Sequence, residues 1–197
     1  WPSIRMKNFK ETEACILRGV IGEELLIFIK NHLKHSLERF PHSIGPDGQC
    51  RGRVRAKYGD WHIENLSDFL KPKVEEATGL KLHPTYTYFR RYLKGDELPI
   101  HTDRESCEIS MSVCIVRNND EPIWALKCID KQGKQIEALL EEGDAMIYNG
   151  INIKHWRDPL KDGTFQLNAF LHYVNADGLY KSFRYDKRLH PYKPRNG

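Results

Sequence analysis

Apolar residues in the first part of the chain recur at helical spacing. Five of them are separated by three or four positions: Leu26, Ile29, Leu33, Leu37 and Phe40. Residues spaced in this way fall on one stripe of an α-helix. The pattern predicts an amphipathic helix over residues 22–40, which ends before Pro41 because proline interrupts a helix.

A second helix is predicted over residues 65–78. Ser67 is a candidate N-cap, and Gly79 is placed to end the helix. Pro72 lies inside this range and is expected to kink or delay the helix.

After Gly79 the apolar spacing changes from helical to alternating. Over residues 108–116, bulky apolar side chains alternate with small or polar ones, as expected for a strand. Further strands are predicted at residues 85–93, 122–129, 145–148, 153–156 and 165–174. Short strands separated by Gly, Asp and Pro indicate an antiparallel barrel or jelly roll. The predicted fold class is therefore mainly β with flanking helices, which pack on one face of the β core.

Composition narrows the class of protein. The 197 residues are 40% apolar and 11% aromatic, which favours a single folded domain over a disordered chain. No apolar run is long enough to span a membrane. Because the chain begins at Trp1, a removed targeting segment before it stays an open possibility. The five cysteines form no CxxC pair, so we expect free thiols and a cytoplasmic location.

Charge is unevenly distributed. Residues 180–197 hold six Lys or Arg and one Asp, whereas the rest of the chain is close to neutral. A nucleic-acid partner is therefore not expected, and aromatic residues in this basic tail are expected to pack on the body. A basic run with period two lies earlier, at Arg51, Arg53, Arg55 and Lys57. It suits either an acidic substrate or phosphate backbone, or a strand protected by its charges, and we favour the second interpretation.

Three residues point to metal chemistry. His101 and Asp103 are two positions apart, so both side chains lie on the same side of an extended segment. His155 follows 54 positions later, where a later strand can complete the set. Two imidazoles and one carboxylate are the ligands of non-haem Fe(II) oxygenases. The competing interpretation is three unrelated surface or core residues. A similar pair, His62 and Glu64, lacks a later histidine at this spacing.

Several segments around these residues match one family in order. They are YFRRYLKGDELPIHTDRESCEIS, PIWAL, EEGDAMIYNGINIKHWRDPL and FLHYV, within residues 84–176. This order resembles the 2-oxoglutarate- and Fe(II)-dependent dioxygenases, most closely their small bacterial and phage-type members near the prolyl-4-hydroxylase-like enzymes. The resemblance implies a double-stranded β-helix (jelly-roll) core at residues 84–176, a helical support region at 1–80, and a tail at 180–197. It also implies Fe(II), 2-oxoglutarate and O₂ as cofactor and cosubstrates.

The sequence departs from the family at one position. Many relatives carry a basic residue about ten positions after the second histidine, where it pairs with the distal carboxylate of 2-oxoglutarate; here that residue is Phe165. Gln166 and Asn168 are uncharged candidates for this polar site. Arg157 is the first charged candidate, because it lies two residues after His155 and so faces the same interior. The remaining candidates are Tyr92, whose hydroxyl matches a family position, and the bases Arg91, Arg104 and Lys161.

The resemblance implies hydroxylation of a C–H bond in a small-molecule or peptidyl substrate, with no membrane partner. Two alternatives remain. One is a cupin-like metalloenzyme that does not use 2-oxoglutarate, which the absent base at Phe165 favours. The other is a non-catalytic jelly roll that binds nucleic acid or carbohydrate. The sequence leaves the oligomeric state open.

Overall fold

The computed structural model describes residues 9–39, 45–118, 123–161 and 165–191. The helices are α1 (Phe9–Thr12), α2 (Glu23–Arg39) and α3 (Trp61–Thr78). The strands are β1 (Ala14–Leu17), β2 (Gly45–Pro46), β3 (Arg55–Tyr58), β4 (Leu82–Leu93), β5 (Leu98–His101), β6 (Ile109–Asn118), β7 (Leu126–Ile129), β8 (Gln135–Ala138), β9 (Ala145–Tyr148), β10 (His155–Arg157) and β11 (Phe165–Asn175). Short 3₁₀ segments occupy Glu105–Cys107 and Lys181–Lys187.

The strands form two antiparallel sheets. The larger has the order β1-β9-β6-β11-β4-β3-β2, and the smaller has the order β5-β10-β7-β8. From β4 to β11 the chain passes back and forth between the two sheets, with β7 and β8 forming a hairpin in the smaller one, which is the arrangement of a double-stranded β-helix. The predicted fold class is confirmed.

Both long helices cover one face of the larger sheet. Ile29 and Leu33 of α2, and Leu70 of α3, are buried with Phe89 and Met111 of the sheet in one apolar core. A second apolar cluster lies on the other face of the larger sheet and includes Leu126 and Cys128 of the smaller sheet. The helices therefore support the sheet from outside and leave its inner face to build a site.

The second helix starts earlier than the sequence pattern predicts. It begins at Trp61 because the Asp60 carboxylate accepts a hydrogen bond from the His62 main-chain N–H and caps the helix. The prediction that Ser67 is the N-cap is therefore wrong. Pro72 lies inside the helix without ending it, and Gly79 ends it in a left-handed conformation, as predicted.

The predicted strands agree with the observed ones to within a few residues, except at residues 122–129. There the strand starts at Leu126, and residue 122 lies outside the described residues. Strands β5 and β8 were not predicted, because Pro99 interrupts the first and charged residues surround the second. All five cysteines are free thiols. Within the described ranges, no helix has the length and apolarity that a membrane span needs.

Candidate metal centre

Strand pairing brings the two candidate histidines together. Strands β5 and β10 are antiparallel neighbours in which His101 lies directly opposite His155. Their ring centroids are 4.2 Å apart. The Asp103 Oδ1 atom lies 3.4 Å from His101 Nε2 and 3.6 Å from His155 Nε2. These spacings suit three ligands around one ion, since each metal–ligand bond is about 2 Å long.

Main-chain contacts orient both imidazoles. His101 Nδ1 lies 2.8 Å from the Pro99 carbonyl oxygen, and His155 Nδ1 lies 2.9 Å from that of Ile153. A carbonyl oxygen can only accept, so each Nδ1 carries the proton and each Nε2 is left as a free electron-pair donor. Burial lowers the pKa of His155 to about 4, so this ring is neutral near pH 7.

The Asp103 carboxylate is held from its other side. The main-chain N–H of Asp103 donates to the Gly150 carbonyl oxygen at 2.7 Å. Ser110 Oγ donates to Asp103 Oδ2 at 3.2 Å and lies 2.9 Å from His172 Nδ1. Burial acts to raise the pKa of Asp103, but the neighbouring imidazoles of His101 and His155 act to lower it, and the pKa lies below its usual range.

Sequence reasoning missed His172. Its position shares the period-two register of Asn168 and Phe170 on β11, and that register would have placed it on the inner face. It is buried and lines the cavity in front of the three candidate ligands.

This cavity has a volume of about 510 Å³ and aromatic walls. Tyr86 stacks on Tyr58 with ring centroids 4.9 Å apart, and the tilted His172 ring lies 4.6 Å from Tyr86 between centroids. Arg104 also lines it, and both its terminal nitrogens donate to Asp186, at 2.7 and 2.9 Å. The walls therefore combine flat aromatic surfaces with the charge of Arg104, which Asp186 neutralises.

Arg157 is buried on the same strand as His155, with 1% of its surface exposed. Its guanidinium lies 4.6 Å from the Trp124 ring centroid, and Nη1 donates to the Trp124 carbonyl oxygen at 2.9 Å. Nε and Nη2 are buried without a hydrogen-bond partner. The Tyr92 hydroxyl is likewise buried without a hydrogen bond of good geometry. Buried donors of this kind are costly unless a ligand satisfies them.

The other sequence candidates are less suitable. Gln166 Nε2 donates to Asn168 Oδ1, and Asn168 Nδ2 donates to the Val113 carbonyl oxygen, so each amide nitrogen already makes a protein hydrogen bond. Arg91 lies on the helix-covered side of β4 and lines a separate groove, so its side chain is directed away from the candidate ligands. Lys161 is exposed.

Arg90 was overlooked, although it shares the inward register of Tyr92. Arg90 lines the cavity between the rings of Tyr88 and Phe170. Unlike Arg157, it is already paired, with Asp47 and Gln49.

Among the described residues, a group of metal-ligating side chains that shares no member with this site lies at His32, Asp60 and His62. There Lys57 Nζ lies 2.9 Å from Asp60 Oδ2, and His32 Nε2 lies 2.6 Å from Asp60 Oδ1. The carboxylate is thus neutralised and occupied, and this group is best explained as a helix cap.

No protein-family model and no curated protein sequence matches the chain. Solved structures match its fold. A prolyl-4-hydroxylase from Pseudomonas putida superposes with a TM-score of 0.67 at 12% identity, covering 85% of this chain and 95% of that one. The non-haem α-ketoglutarate-dependent carbocyclase SnoK of nogalamycin biosynthesis gives 0.72 at 11% identity, covering 100% and 94%. HygX from Streptomyces hygroscopicus, solved with nickel and 2-oxoglutarate bound, gives 0.67 at 14% identity, covering 86% and 85%. At these identities the likeness establishes the double-stranded β-helix fold.

Proposed function

We propose that the chain is an Fe(II)- and 2-oxoglutarate-dependent oxygenase that hydroxylates a C–H bond of a small-molecule or peptidyl substrate. The observation that carries the proposal is the convergence of His101, Asp103 and His155 beside an open cavity. Their ligand atoms all lie within 4.8 Å of one another. Two imidazoles and a carboxylate occupy one side of an ion and leave the other side free.

The donor set fits Fe(II) on chemical grounds. The histidines offer unprotonated Nε2 atoms, and Asp103 is ionised at neutral pH, so no proton has to leave before an ion binds. Bound iron would supply O₂ activation coupled to decarboxylation of 2-oxoglutarate to succinate and CO₂. The protein's part is to fix the ligands through Pro99, Ile153 and Ser110, and to leave room for both cosubstrates.

The distal carboxylate of 2-oxoglutarate requires a cation in a buried site. Arg157 meets this requirement, because two of its N–H groups are buried and unused. A guanidinium binds a carboxylate through two parallel hydrogen bonds, and the buried Tyr92 hydroxyl offers a further donor. We assign Arg157 of β10 and Tyr92 of β4 as the residues that bind 2-oxoglutarate. Gln166 and Asn168 of the neighbouring strand β11 are the uncharged polar residues beside this site.

The neighbouring solved structures support a small or peptidyl substrate only by analogy. HygX has also been solved with hygromycin B, and a related structure, EctD, with 5-hydroxyectoine. In this chain the rings of Tyr58, Tyr86 and His172 line the cavity and present flat surfaces to whatever enters it.

A second candidate function is a cupin-like metalloenzyme that uses the same three ligands without 2-oxoglutarate. The uncharged Phe165 favours it. A binding module without catalysis is less favoured, because it gives no reason for three convergent metal ligands inside a cavity.

The test is to load purified protein anaerobically with Fe(II) and to measure iron stoichiometry, then succinate release with 2-oxoglutarate and O₂. We expect one iron per chain and slow succinate formation even without substrate. His101→Ala and His155→Ala should lose both, whereas His35→Ala, an exposed residue of α2, should lose neither. Iron binding without any succinate would favour the cupin-like alternative, and full iron occupancy in His101→Ala would overturn the metal site.

A further inference from the structure

Three arginines lie together on the helix-covered side of the larger sheet. Arg55 of β3 lies directly opposite Arg91 of β4 in the antiparallel register. Arg53 precedes Arg55 by two residues, and the buried Val54 between them faces the other way. All three line one surface groove, together with Leu37 and Pro46. We call Arg53, Arg55 and Arg91 the arginine cluster.

The cluster is separate from the candidate metal centre. On β4, Arg90 lines the cavity in front of the candidate metal ligands, whereas Arg91 lines the groove. The groove and the cavity share no residue. The sequence alone allowed these arginines to bind an acidic substrate. The structure places them in a separate groove, so they cannot hold a substrate at the metal.

Ion pairing divides the basic run into two classes. Arg51 Nη1 lies 3.1 Å from Glu97 Oε1, and Lys57 Nζ lies 2.9 Å from Asp60 Oδ2. By contrast, the three guanidinium groups of the arginine cluster make no hydrogen bond or ion pair with any described residue. One of their nitrogens, Arg91 Nε, is also buried.

The Asp96 carboxylate beside the cluster already accepts two main-chain hydrogen bonds. Asp96 Oδ1 accepts from the Arg53 main-chain N–H at 2.6 Å, and Asp96 Oδ2 accepts from that of Leu93 at 2.8 Å. The Asp96 side chain thus ties two loop ends together. Burial lowers the pKa of Arg91, and the charges of Arg55 and Arg53 lower it further against the opposing effect of Asp96. The three like charges repel one another in the ligand-free protein.

Protection of an open sheet edge does not explain these charges. Strand β2 pairs with β3 at Arg55 and Ala56, so that part of β3 is not an edge. A residue pair of like charge directly across two strands is also unfavourable. An arrangement that costs stability and protects no edge is typical of a binding site.

We propose that the arginine cluster binds a phosphate group. Three guanidinium groups without an ion-pair partner among the described residues match a multiply charged oxyanion better than a single carboxylate, and guanidinium groups bind phosphate through paired hydrogen bonds. The phosphate belongs either to a small phosphate compound or to a nucleic-acid backbone. The proposal is independent of the function proposed for the metal centre.

The test measures binding of two probes to metal-free full-length protein: pyrophosphate by calorimetry, and a fluorescent single-stranded oligonucleotide by anisotropy. We expect at least one probe to bind, with weaker binding at higher salt. Arg55→Gln and Arg91→Gln should each weaken binding about tenfold or more, which corresponds to about 1.4 kcal/mol. Arg51→Gln is the matched control, because it removes the same charge from the same run but from an ion-paired residue, and it should change binding by less than about twofold.

The two phosphate sources give different results. A small-compound site binds pyrophosphate, which then displaces the oligonucleotide completely. A backbone site binds longer oligonucleotides more tightly and releases them little with pyrophosphate. The proposal is overturned if neither probe binds, or if Arg51→Gln weakens binding as much as Arg55→Gln does. Succinate formation by iron-loaded Arg55→Gln should equal that of the wild type, because the groove lies apart from the metal centre.

Discussion

Gly150 lies directly against the Asp103 carboxylate. A Cβ atom on Gly150 would be 2.6 Å from Asp103 Oδ2 and 2.3 Å from the Cys107 carbonyl oxygen. The Gly150 carbonyl oxygen also accepts the Asp103 main-chain N–H at 2.7 Å. Glycine at this position therefore lets the chain approach the carboxylate and hold it from behind.

Gly150→Ala should consequently weaken metal binding. The added methyl group must push either Asp103 or the Cys107 main chain, and residues that orient a ligand typically contribute 10–100-fold to metal affinity. We expect a loss in that range in a competitive Fe(II) or Zn(II) titration. Gly22→Ala is the control, since nothing lies within 4 Å of a Cβ there. Equal metal affinity in the two variants would show that Gly150 does not position Asp103.

The three candidate ligands could be found in the sequence because their spacing reflects local geometry. His101 and Asp103 share one side of an extended segment, and the strand pattern placed His155 on a later strand. The residues that support them could not be found in this way. Asp60 rather than Ser67 caps the helix because its backbone is extended and its carboxylate accepts the His62 main-chain N–H.

Contacts between segments that are distant in the chain could not be predicted from the sequence either. Whether a charged side chain is already paired depends on tertiary structure, and that decides between Arg90 and Arg157. Register alone gave both an inward direction, but only the fold shows that Asp47 occupies Arg90.

Arg157→Ala should raise the KM for 2-oxoglutarate strongly. Removing one partner of a buried charge pair costs about 3–5 kcal/mol, which corresponds to more than a hundredfold. Arg157→Lys should recover part of the affinity, because the charge remains while the paired hydrogen bonds are lost. The measurement is succinate formation against 2-oxoglutarate concentration, with iron affinity unchanged in both variants.

The comparison variant is Arg90→Ala. Because Arg90 is paired with Asp47, its loss should destabilise the cavity wall and affect kcat and stability more than the KM for 2-oxoglutarate. If Arg90→Ala raises this KM and Arg157→Ala does not, Arg90 is the residue that binds the carboxylate. If neither raises it, 2-oxoglutarate binds elsewhere or is not the cosubstrate.

The metal-free protein should lose stability as the pH falls below about 6.5. Burial lowers the pKa of His172 from 6.5 to about 4. Between these values the unfolded chain binds a proton that the folded chain does not, so the free energy of unfolding rises with pH over this window. The contribution of His172 is about 3 kcal/mol at most, complete above pH 6.5 and lost towards pH 4.

Urea unfolding of metal-free protein between pH 4.5 and 7.5 checks this dependence. His172→Asn keeps a polar group near Ser110 but cannot take up the proton, so the slope with pH should become shallower. His35→Asn changes an exposed histidine and should leave the slope as in the wild type. Identical slopes in all three proteins would exclude His172 as the source.

The C-terminal segment is held by buried ion pairs more than by its aromatic residues. Phe183 and Tyr185 are only partly buried, and Tyr192 lies outside the described residues. Arg188 Nη2 donates to Glu64 Oε1 at 3.0 Å and to the Thr85 carbonyl oxygen at 2.8 Å. Asp186 accepts from Arg104 and from the Tyr58 hydroxyl.

These contacts hold an unfavourable backbone. Tyr185, Asp186 and Lys187 all have positive φ values, between 53° and 62°, a conformation that costs free energy at each residue. The segment stays in place because Asp186 and Arg188 complete buried pairs on the body. It also forms part of the support for Tyr58 and Arg104 in the cavity wall.

Arg188→Met should therefore destabilise the fold by about 1–3 kcal/mol near pH 8, because Glu64 loses its ion-pair partner and buried carbonyl oxygens lose a donor. Burial already raises the pKa of Glu64 to about 7, against the opposing charge of Arg188. Without that charge the pKa rises further, so at pH 5 the carboxyl is neutral in the folded state and the loss should be smaller. Urea unfolding at both pH values measures this difference.

Lys181→Met, which removes an exposed charge from the same segment, should cost little at either pH. Glu64→Gln combined with Arg188→Met should recover part of the stability at pH 8, since no unpaired charge remains. A loss for Arg188→Met that is the same at pH 5 and pH 8 would show that packing of the arginine side chain, rather than its pairing with Glu64, holds the segment.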